Sequence, residues 1–334
     1  MKEIKKMNCI IDTDPGVDDS VAIALSLYDK VMDIKLITTV NGNVDLELVT
    51  RNALHVLEKF KRTDIPVAKG ASQPMGKSMP NASFIHQQYG MGGYNPPTTV
   101  KTKPIETPAV EAMYEVIKQH PNDIYILSLG PHTNVAQLIK THPDVVKMIN
   151  HIYCEGCAPY GLKGQGKWTN YISFNASFDA EAMKIVLESG IPITIVPSRM
   201  GRELANFNEE EVFKIREIND VGHFFFEMYN SYWEHGYEDR RIATNDTCAC
   251  LNLREPKLFK TKKAKVLVNT TDMYGRTDFI FTRKGHVNFV YKVNKNKMHK
   301  YFYNAIKKLD WLKFYWLFDK IFWNILKLNQ RRNV

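Results

Sequence analysis

The sequence predicts an α/β fold: an open, mostly parallel β-sheet flanked by helices. Three observations predict it. Short, continuous runs of apolar and β-branched residues recur along the 334-residue chain. Longer stretches with helical spacing separate them. No Gly/Ser- or Pro-rich linker interrupts the alternation before about Leu309. Continuous apolar runs suit parallel strands buried on both faces, and repeated β–α alternation builds a doubly wound sheet. In such sheets ligands sit outside the carboxyl ends of the strands, so the chemistry is expected in the loops that follow each run.

The elements follow in order. NCIID is a strand, and VAIALSLY after Asp18-Asp19-Ser20 is a helix. IKLITTV is the second strand. DLELVTRNALHVLEKF is a helix with Leu48, Asn52 and His55 on one flank and apolar residues on the other. The stretch from Gly70 to Pro108 is a long loop rich in Gly, Pro, Met and aromatics, a composition typical of functional lids. DIYILSL, HIYCEG and IPITIVP are further buried strands, separated by helices starting near Thr107, Thr133 and Asp179. FFFEMYNSYWEHGY is an aromatic helix in which Phe224 to Phe226 are expected in the core. The chain divides into a domain over 1–309 and an aromatic, basic, helical extension over 310–334.

Apolar residues make up 44% of the chain, enough for a sizeable core, and the formal net charge is +9. No helix-turn-helix or aromatic-basic RNA motif accompanies that charge, so it reads as a lysine-rich surface and not as a nucleic-acid site. Five cysteines, Cys9, Cys154, Cys157, Cys248 and Cys250, are too few and odd in number for a disulfide framework. The N-terminus lacks an apolar stretch and cleavage site of a signal peptide. Both points lead to an expected cytoplasmic location. Cys154-Glu-Gly-Cys157 with Cys248-Ala-Cys250 invites a zinc reading, but strand-end and helical positions favour buried thiols acting as small apolar residues.

The first strand runs straight into DTDPGVDDS, which places Asp12, Asp14, Asp18 and Asp19 within eight positions. Capping needs one such residue, not four. A helix N-terminus would favour Asp18 and Asp19 but hardly explains Asp14. A hard divalent cation with oxygen ligands explains the cluster. The nucleophile motif of haloacid-dehalogenase phosphatases also begins DxD, but it continues with Gly-Thr, whereas Pro15-Gly16 follows here.

DTDPGVDDSVAIALSL resembles the N-terminal signature of the inosine–uridine-preferring nucleoside hydrolases, and the likeness continues in order to about residue 310. ITTVNGNV, IHQQYGMGG, LSLGPHTNVAQLI, SFNASFDAEAMKIVL and TNDTCACL resemble its later segments. The resemblance implies a Rossmann-like nucleoside hydrolase fold and calcium-dependent cleavage of a ribonucleoside to free base and ribose, within purine salvage, by a homo-oligomer (dimer or tetramer). It implies Ca²⁺ held by Asp14, Asp19, the Thr133 carbonyl and Asp246. Asp14 would be the general base, and Asp18, Asn43, Asn175 and Asp246 would hold the ribose. Asp12 would orient these groups. His86, in the Gly-rich segment, would face the substrate.

Three departures stand out. Relatives often carry a His immediately before the late Asp, as acid on the departing base; here it is Asn245, which donates a hydrogen bond but delivers no proton. Stacking from Tyr229, Tyr232, Trp233 or Tyr237 is the alternative activation, and His86 and His235 are alternative acids. The family's Glu two residues before the ribose-binding Asn is Ser173. Lys167 stands where relatives carry an Asn, unless a small gap brings in Asn170. Losing an acid and gaining a Lys near the 5′ side raises the expectation of a 5′-modified or 5′-phosphorylated substrate. The departures also leave open a second reading, a ribose- or nucleotide-binding protein with weakened turnover. The tail beyond Asp310 is dense in Trp, Phe, Leu and Ile, with Lys313, Lys320, Asn324 and Lys327 forming one polar stripe. Self-packing or an oligomer contact is the first expectation for it, and peripheral membrane contact the second.

Overall fold

The computed structural model describes residues 6–27, 31–77, 79–163, 169–234 and 241–309, the side chains of 231–234 excepted. Among the described residues nine strands form one sheet: β1 (Met7–Thr13), β2 (Met32–Thr39), β3 (Val67–Lys69), β4 (Ile124–Ser128), β5 (Ile149–Glu155), β6 (Ile193–Val196), β7 (Phe259–Val268), β8 (Thr277–Phe281) and β9 (Val287–Val293). Their spatial order is β3-β2-β1-β4-β5-β6-β9-β7-β8. Pairing is parallel from β3 across to β9 and antiparallel at β9–β7 and β7–β8.

The helices are α1 (Val17–Ser26), α2 (Leu46–Lys59), α3 (Ser83–His86), α4 (Ala109–Gln119), α5 (Thr133–Thr141), α6 (Phe174–Phe178), α7 (Ala180–Glu188), α8 (Glu209–Arg216), α9 (Asp220–Glu234), α10 (Asn245–Arg254) and α11 (295–309). They cover both faces, because the central strands are apolar on both. Cys9 and Ile11 of β1 point into a core shared with α1, α2, α9, α10 and α11; Ile10 points into the opposite core, shared with α4, α5 and α7. Each fully buried Ile or Leu contributes about 1.5–3 kcal/mol relative to exposure. Phe224 and Phe225 are buried in the first core, whereas Phe226, expected there as well, is only partly buried against it.

Chain order reverses between β1 and β4. From β1 the chain steps outward to β2 and β3, then crosses back to β4 and proceeds to β5 and β6. The loops after β1 and β4 therefore diverge and open a crevice at the carboxyl edge of the sheet. The long loop after β3 folds over this edge and carries α3. Among the described residues, no helix is long and apolar enough to cross a membrane.

Candidate active site

A pocket occupies the crevice. Asp14, Asp18 and Asp19 enter it from the turn after β1, Asn43 from the loop after β2, and His86 from α3. Leu129 follows β4, Glu155 ends β5, and Ser198 and Arg202 follow β6. Asn175 comes from α6, and Asn245 and Asp246 open α10.

The β1 turn is held by its own acids. The Gly16 amide and the Asn43 Nδ2 both donate to Asp19 Oδ2, at 3.1 and 2.9 Å, and the Thr13 hydroxyl donates to Oδ1 at 2.6 Å. Asn43 also clasps Asp14: its amide donates to Asp14 Oδ2 at 2.8 Å and its Nδ2 to the Asp14 carbonyl at 3.0 Å. Gly42 and Gly130 flank the Asp14 carboxylate, and a Cβ at either would collide with it. Beneath the turn, Asp12 accepts from Thr38 Oγ1 and Asn134 Nδ2, at 2.6 and 2.8 Å. It does not line the pocket, and burial pushes its carboxyl up to about 6.

Electrostatically the pocket is strained as it stands. Five carboxylates, those of Asp14, Asp18, Asp19, Glu155 and Asp246, line it, each at most 6% exposed. Burial, then repulsion by Asp19, raises the Asp14 carboxyl well above the usual range. Burial, then Asp18 and Asp19, does the same to Asp246. Single carboxylate oxygens of Asp18, Asp19 and Asp246 lie within 4.8 Å of one another. Buried like charges at such spacing favour a cation between them, and the all-oxygen donor set suits a hard one. Among the described residues this is the single group of three or more His, Cys, Asp or Glu side chains close enough to hold a metal. The cysteines form no such group: all five are buried and free.

The structure gathers Asp14, Asp18, Asp19, Asn43, His86, Asn175, Asn245 and Asp246 around one cavity. The acidic trio contains Asp18 and leaves Asp14 beside it, because Asn43 turns the Asp14 carboxylate toward its own amide. Thr133 is not part of the pocket. It is the first residue of α5, so its carbonyl turns into the helix, and its hydroxyl donates to Asp179 Oδ2 at 2.6 Å. From this segment it is Leu129, four residues earlier, that lines the pocket, and its carbonyl accepts from Asn175 Nδ2 at 2.6 Å. Ser173 is buried outside the pocket lining, with no hydrogen-bond partner for its Oγ among the described residues. Tyr229 is fully buried and also lies outside the lining. Lys167, His235, Tyr237 and the side chains of Tyr232 and Trp233 lie outside the described residues.

His86 has a fixed role. The Val17 amide donates to its Nδ1 at 3.1 Å, which leaves the proton on Nε2. Burial lowers its pKa to about 4, so the ring is neutral. Glu155 is the residue that the sequence reading passed over. Ser198 Oγ donates to its Oε1 at 2.7 Å and Asn175 Nδ2 to its Oε2 at 2.9 Å. Burial pushes its carboxyl up to about 8. Its position at the carboxyl end of a buried strand was the available signal, but the flanking CxxC drew the residue into a zinc question instead. Asn175 Nδ2 spends its second hydrogen on the Leu129 carbonyl at 2.6 Å, so the amide oxygen of Asn175 remains to accept from a ligand hydroxyl.

Comparison with known proteins agrees with this geometry. The family model for "Inosine-uridine preferring nucleoside hydrolase" matches residues 9–300. The chain is 33% identical over 268 residues to the non-specific ribonucleoside hydrolase RihC of Salmonella paratyphi B, covering 80% of this chain and 85% of that one. Its fold is similar to that of a plant nucleoside hydrolase, the PpNRh1 enzyme, with a TM-score of 0.82, 26% identity, and 90% and 99% of the two chains covered. It is equally similar to the purine-preferring ribonucleoside hydrolase from Gardnerella vaginalis, with a TM-score of 0.82, 25% identity, and 90% and 98% covered.

Proposed function

Because the chain belongs to the inosine–uridine-preferring nucleoside hydrolase family, and is therefore an N-glycosyl hydrolase acting on ribonucleosides, we propose that it works with a calcium ion and Asp14 as general base. The convergence of Asp14, Asp18, Asp19 and Asp246 in one buried pocket carries this reading. Asp19 and Asp246, flanked by Asp14 and Asp18, would hold the ion, with the Leu129 carbonyl in the place expected of Thr133. A bound divalent cation supplies acidification of the attacking water and a fixed seat for sugar hydroxyls.

The chain's own groups do the rest. Asp14 takes the proton of the water; its burial and the amide of Asn43 fix its direction. Asp18, Asn43 and Asn175 hold the ribose hydroxyls, with the Asn175 oxygen as acceptor. The surrounding carboxylates favour the positive charge that develops on the sugar as the bond breaks. Asn245 attends the departing base. Its Oδ1 is buried against Gly201 without a partner among the described residues, so Nδ2 is the atom that donates to a base nitrogen. Neutral His86 lines the same pocket.

The described lining of the pocket suits a substrate with a free 5′-hydroxyl. Arg202 is the one Lys or Arg lining the pocket among the described residues, against five carboxylates, a balance that disfavours a 5′-phosphate. The test is release of free base from a panel of ribonucleosides and 5′-monophosphates, with calcium and with chelator, for wild type and Asp14→Ala. Calcium-dependent release lost in the variant supports the proposal. Ligand binding with no release from any compound would instead support a binding protein.

A further inference from the structure

A single turn of π-helix, Met200–Leu204, follows β6. Such turns are rare and recur at functional sites. This one packs on the start of α10: a Cβ on Gly201 would lie 2.4 Å from the Asn245 amide nitrogen and 2.5 Å from its Oδ1. Arg202, the next residue, lines the pocket together with Asn245. Its guanidinium lies over the Tyr171 ring, with Cζ 5.8 Å from the centroid, a contact that aligns a planar cation with an aromatic face. Glu203, the acid beside it in sequence, is engaged by Arg199 at 2.7 Å.

The charges of the pocket are held apart. Asp18, Asp19 and Asp246 converge at the end assigned to the ion and the sugar, with Asp14 beside them. After burial, the strongest influence on Asp14 is Asp19 and on Asp246 is Asp18, both acids. Beyond the effect of burial, His86, Glu155 and Tyr171 feel the Arg202 charge. That polarity matches the reaction. As the C1′–N bond breaks, its electron pair moves onto the base, so the sugar turns positive and the base negative. The acids favour the first charge, and a cation is needed to favour the second. A guanidinium has no acceptor and no proton to give at neutral pH. It therefore cannot replace the acid that Asn245 lacks, but it supplies fixed charge and planar donors.

We propose that Arg202 is a catalytic residue that stabilises the departing base as an anion, donating to the base atoms on which the negative charge collects. The role rests on the reading that seats the base beside Asn245. In this step the C1′–N bond breaks with its electron pair going to the base nitrogen. The oxygen of the attacking water bonds to C1′, and Asp14 takes a proton from that water. The base anion takes a proton from solvent, and Asp14 returns its own, so the products are neutral base and ribose. Leaving-group activation is then electrostatic, and Asn245 adds one neutral hydrogen bond to it.

The experiment compares two leaving groups. Inosine needs help to lose its base, whereas 4-nitrophenyl riboside releases a phenolate that is stable as an anion unaided. kcat and KM are measured on both, with calcium, for wild type, Arg202→Gln, Arg202→Lys and Asp14→Ala. Arg202→Gln is expected to lose on the order of a hundredfold in kcat on inosine, the usual cost of removing one preorganised donor to developing charge, and no more than about threefold on the nitrophenyl riboside. KM for inosine stays near the wild-type value, because the interaction is made in the transition state. Arg202→Lys keeps the charge without the planar donors, so its ratio of inosine to riboside rates falls between those of wild type and Arg202→Gln. Should Arg202→Gln fail to fold, that lysine ratio decides, and an unchanged ratio overturns the proposal. Equal loss on both substrates with an unchanged Tm also overturns it, since Arg202 would then only shape the pocket. So does a raised KM with intact kcat, which would make the contact one of ground-state binding. Asp14 is read separately: Asp14→Ala loses both substrates alike, because both need the activated water. Retained release by that variant would remove Asp14 as base and leave the leaving-group result for Arg202 standing.

Discussion

The substitution Gly42→Ala tests the placement of Asp14 without touching its chemistry. Gly42 has no positive φ, so the backbone accepts alanine and the effect is steric. A Cβ at position 42 would lie 2.9 Å from Asp14 Cγ and 2.9 Å from Pro131 Cδ. Packed carbons stand about 3.5–4.0 Å apart, so the carboxylate must move by on the order of 1 Å. It has nowhere easy to go: the Cβ-less face of Gly130 closes the other side, and the Asn43 amide holds Oδ2 at 2.8 Å. A displacement of about 1 Å at a reacting group costs roughly a hundredfold in rate, or about 2.7 kcal/mol of transition-state stabilisation. The assay is kcat/KM for a ribonucleoside at saturating calcium, beside a thermal melt. The expected result is a folded protein with Tm within a few degrees of wild type and activity down about a hundredfold. A folded variant within threefold of wild type would refute the argument that this carboxylate must sit where the two glycines place it.

Other expectations follow from the same geometry. Asp14→Asn lowers kcat by about 10²–10⁴-fold, the usual worth of a general base, while nucleoside binding by calorimetry persists; loss of binding with intact kcat would reverse the assignment. Glu155→Ala frees Asn175 Nδ2 and raises KM about tenfold, whereas Glu155→Gln, which still accepts from Asn175 and donates to Ser198, stays within threefold; equal loss in both variants would mean that the charge itself is required. Chelation abolishes activity, and calcium restores it and raises Tm; a chelator-resistant enzyme would sink the cation proposal. Acid stability is governed in part by His132, fully buried with Ser128 Oγ 2.7 Å from its Nδ1, whose pKa burial lowers to about 4. Above pH 6.5 both folded and unfolded states hold it neutral; between pH 6.5 and about 4 the unfolded state alone takes the proton, so stability falls through that window by up to about 3 kcal/mol and levels off below. Urea unfolding at pH 7.5 and 5 for wild type and His132→Gln checks this, and an unchanged pH slope in the variant would remove His132 from the account.

Much of this molecule is legible in its sequence for a simple reason. Strands β1, β4 and β6 carry apolar runs buried on both faces, and β2 and β5 carry shorter ones toward their carboxyl ends, so each announces itself in the sequence. The antiparallel end was missed: FKTKKAKVLV buries only Phe259, Ala264 and Val266 and carries four lysines among its other positions, so β7 reads as a charged loop. The Asp cluster was legible because its density has no structural explanation. Glu155 was not, because one acid at a strand end is ordinary until Asn175 and Ser198, 20 and 43 residues away, are seen to donate to it. Thr133 is a different case. Its segment lies at the site, but the sequence could not show whether the carbonyl facing the pocket comes before the turn or after it; α5 begins at Thr133 and commits that carbonyl to the helix.

The five buried cysteines have a practical consequence. Burial pushes the thiols of Cys9, Cys154 and Cys157 up, and that of Cys248 to about 12, so in the native protein none of these four offers a thiolate to an alkylating reagent. Each becomes reactive when its surroundings open. Cys9 reports on the middle of the sheet, Cys154 and Cys157 on the end of β5, and Cys248 and Cys250 on the helix that brings Asp246 to the pocket. Timed alkylation read by mass spectrometry would therefore yield an opening rate for each region from the unaltered chain. If Cys248 and Cys250 label before Cys9, the enzyme loses the Asp246 wall of its pocket while the rest of the sheet is still closed.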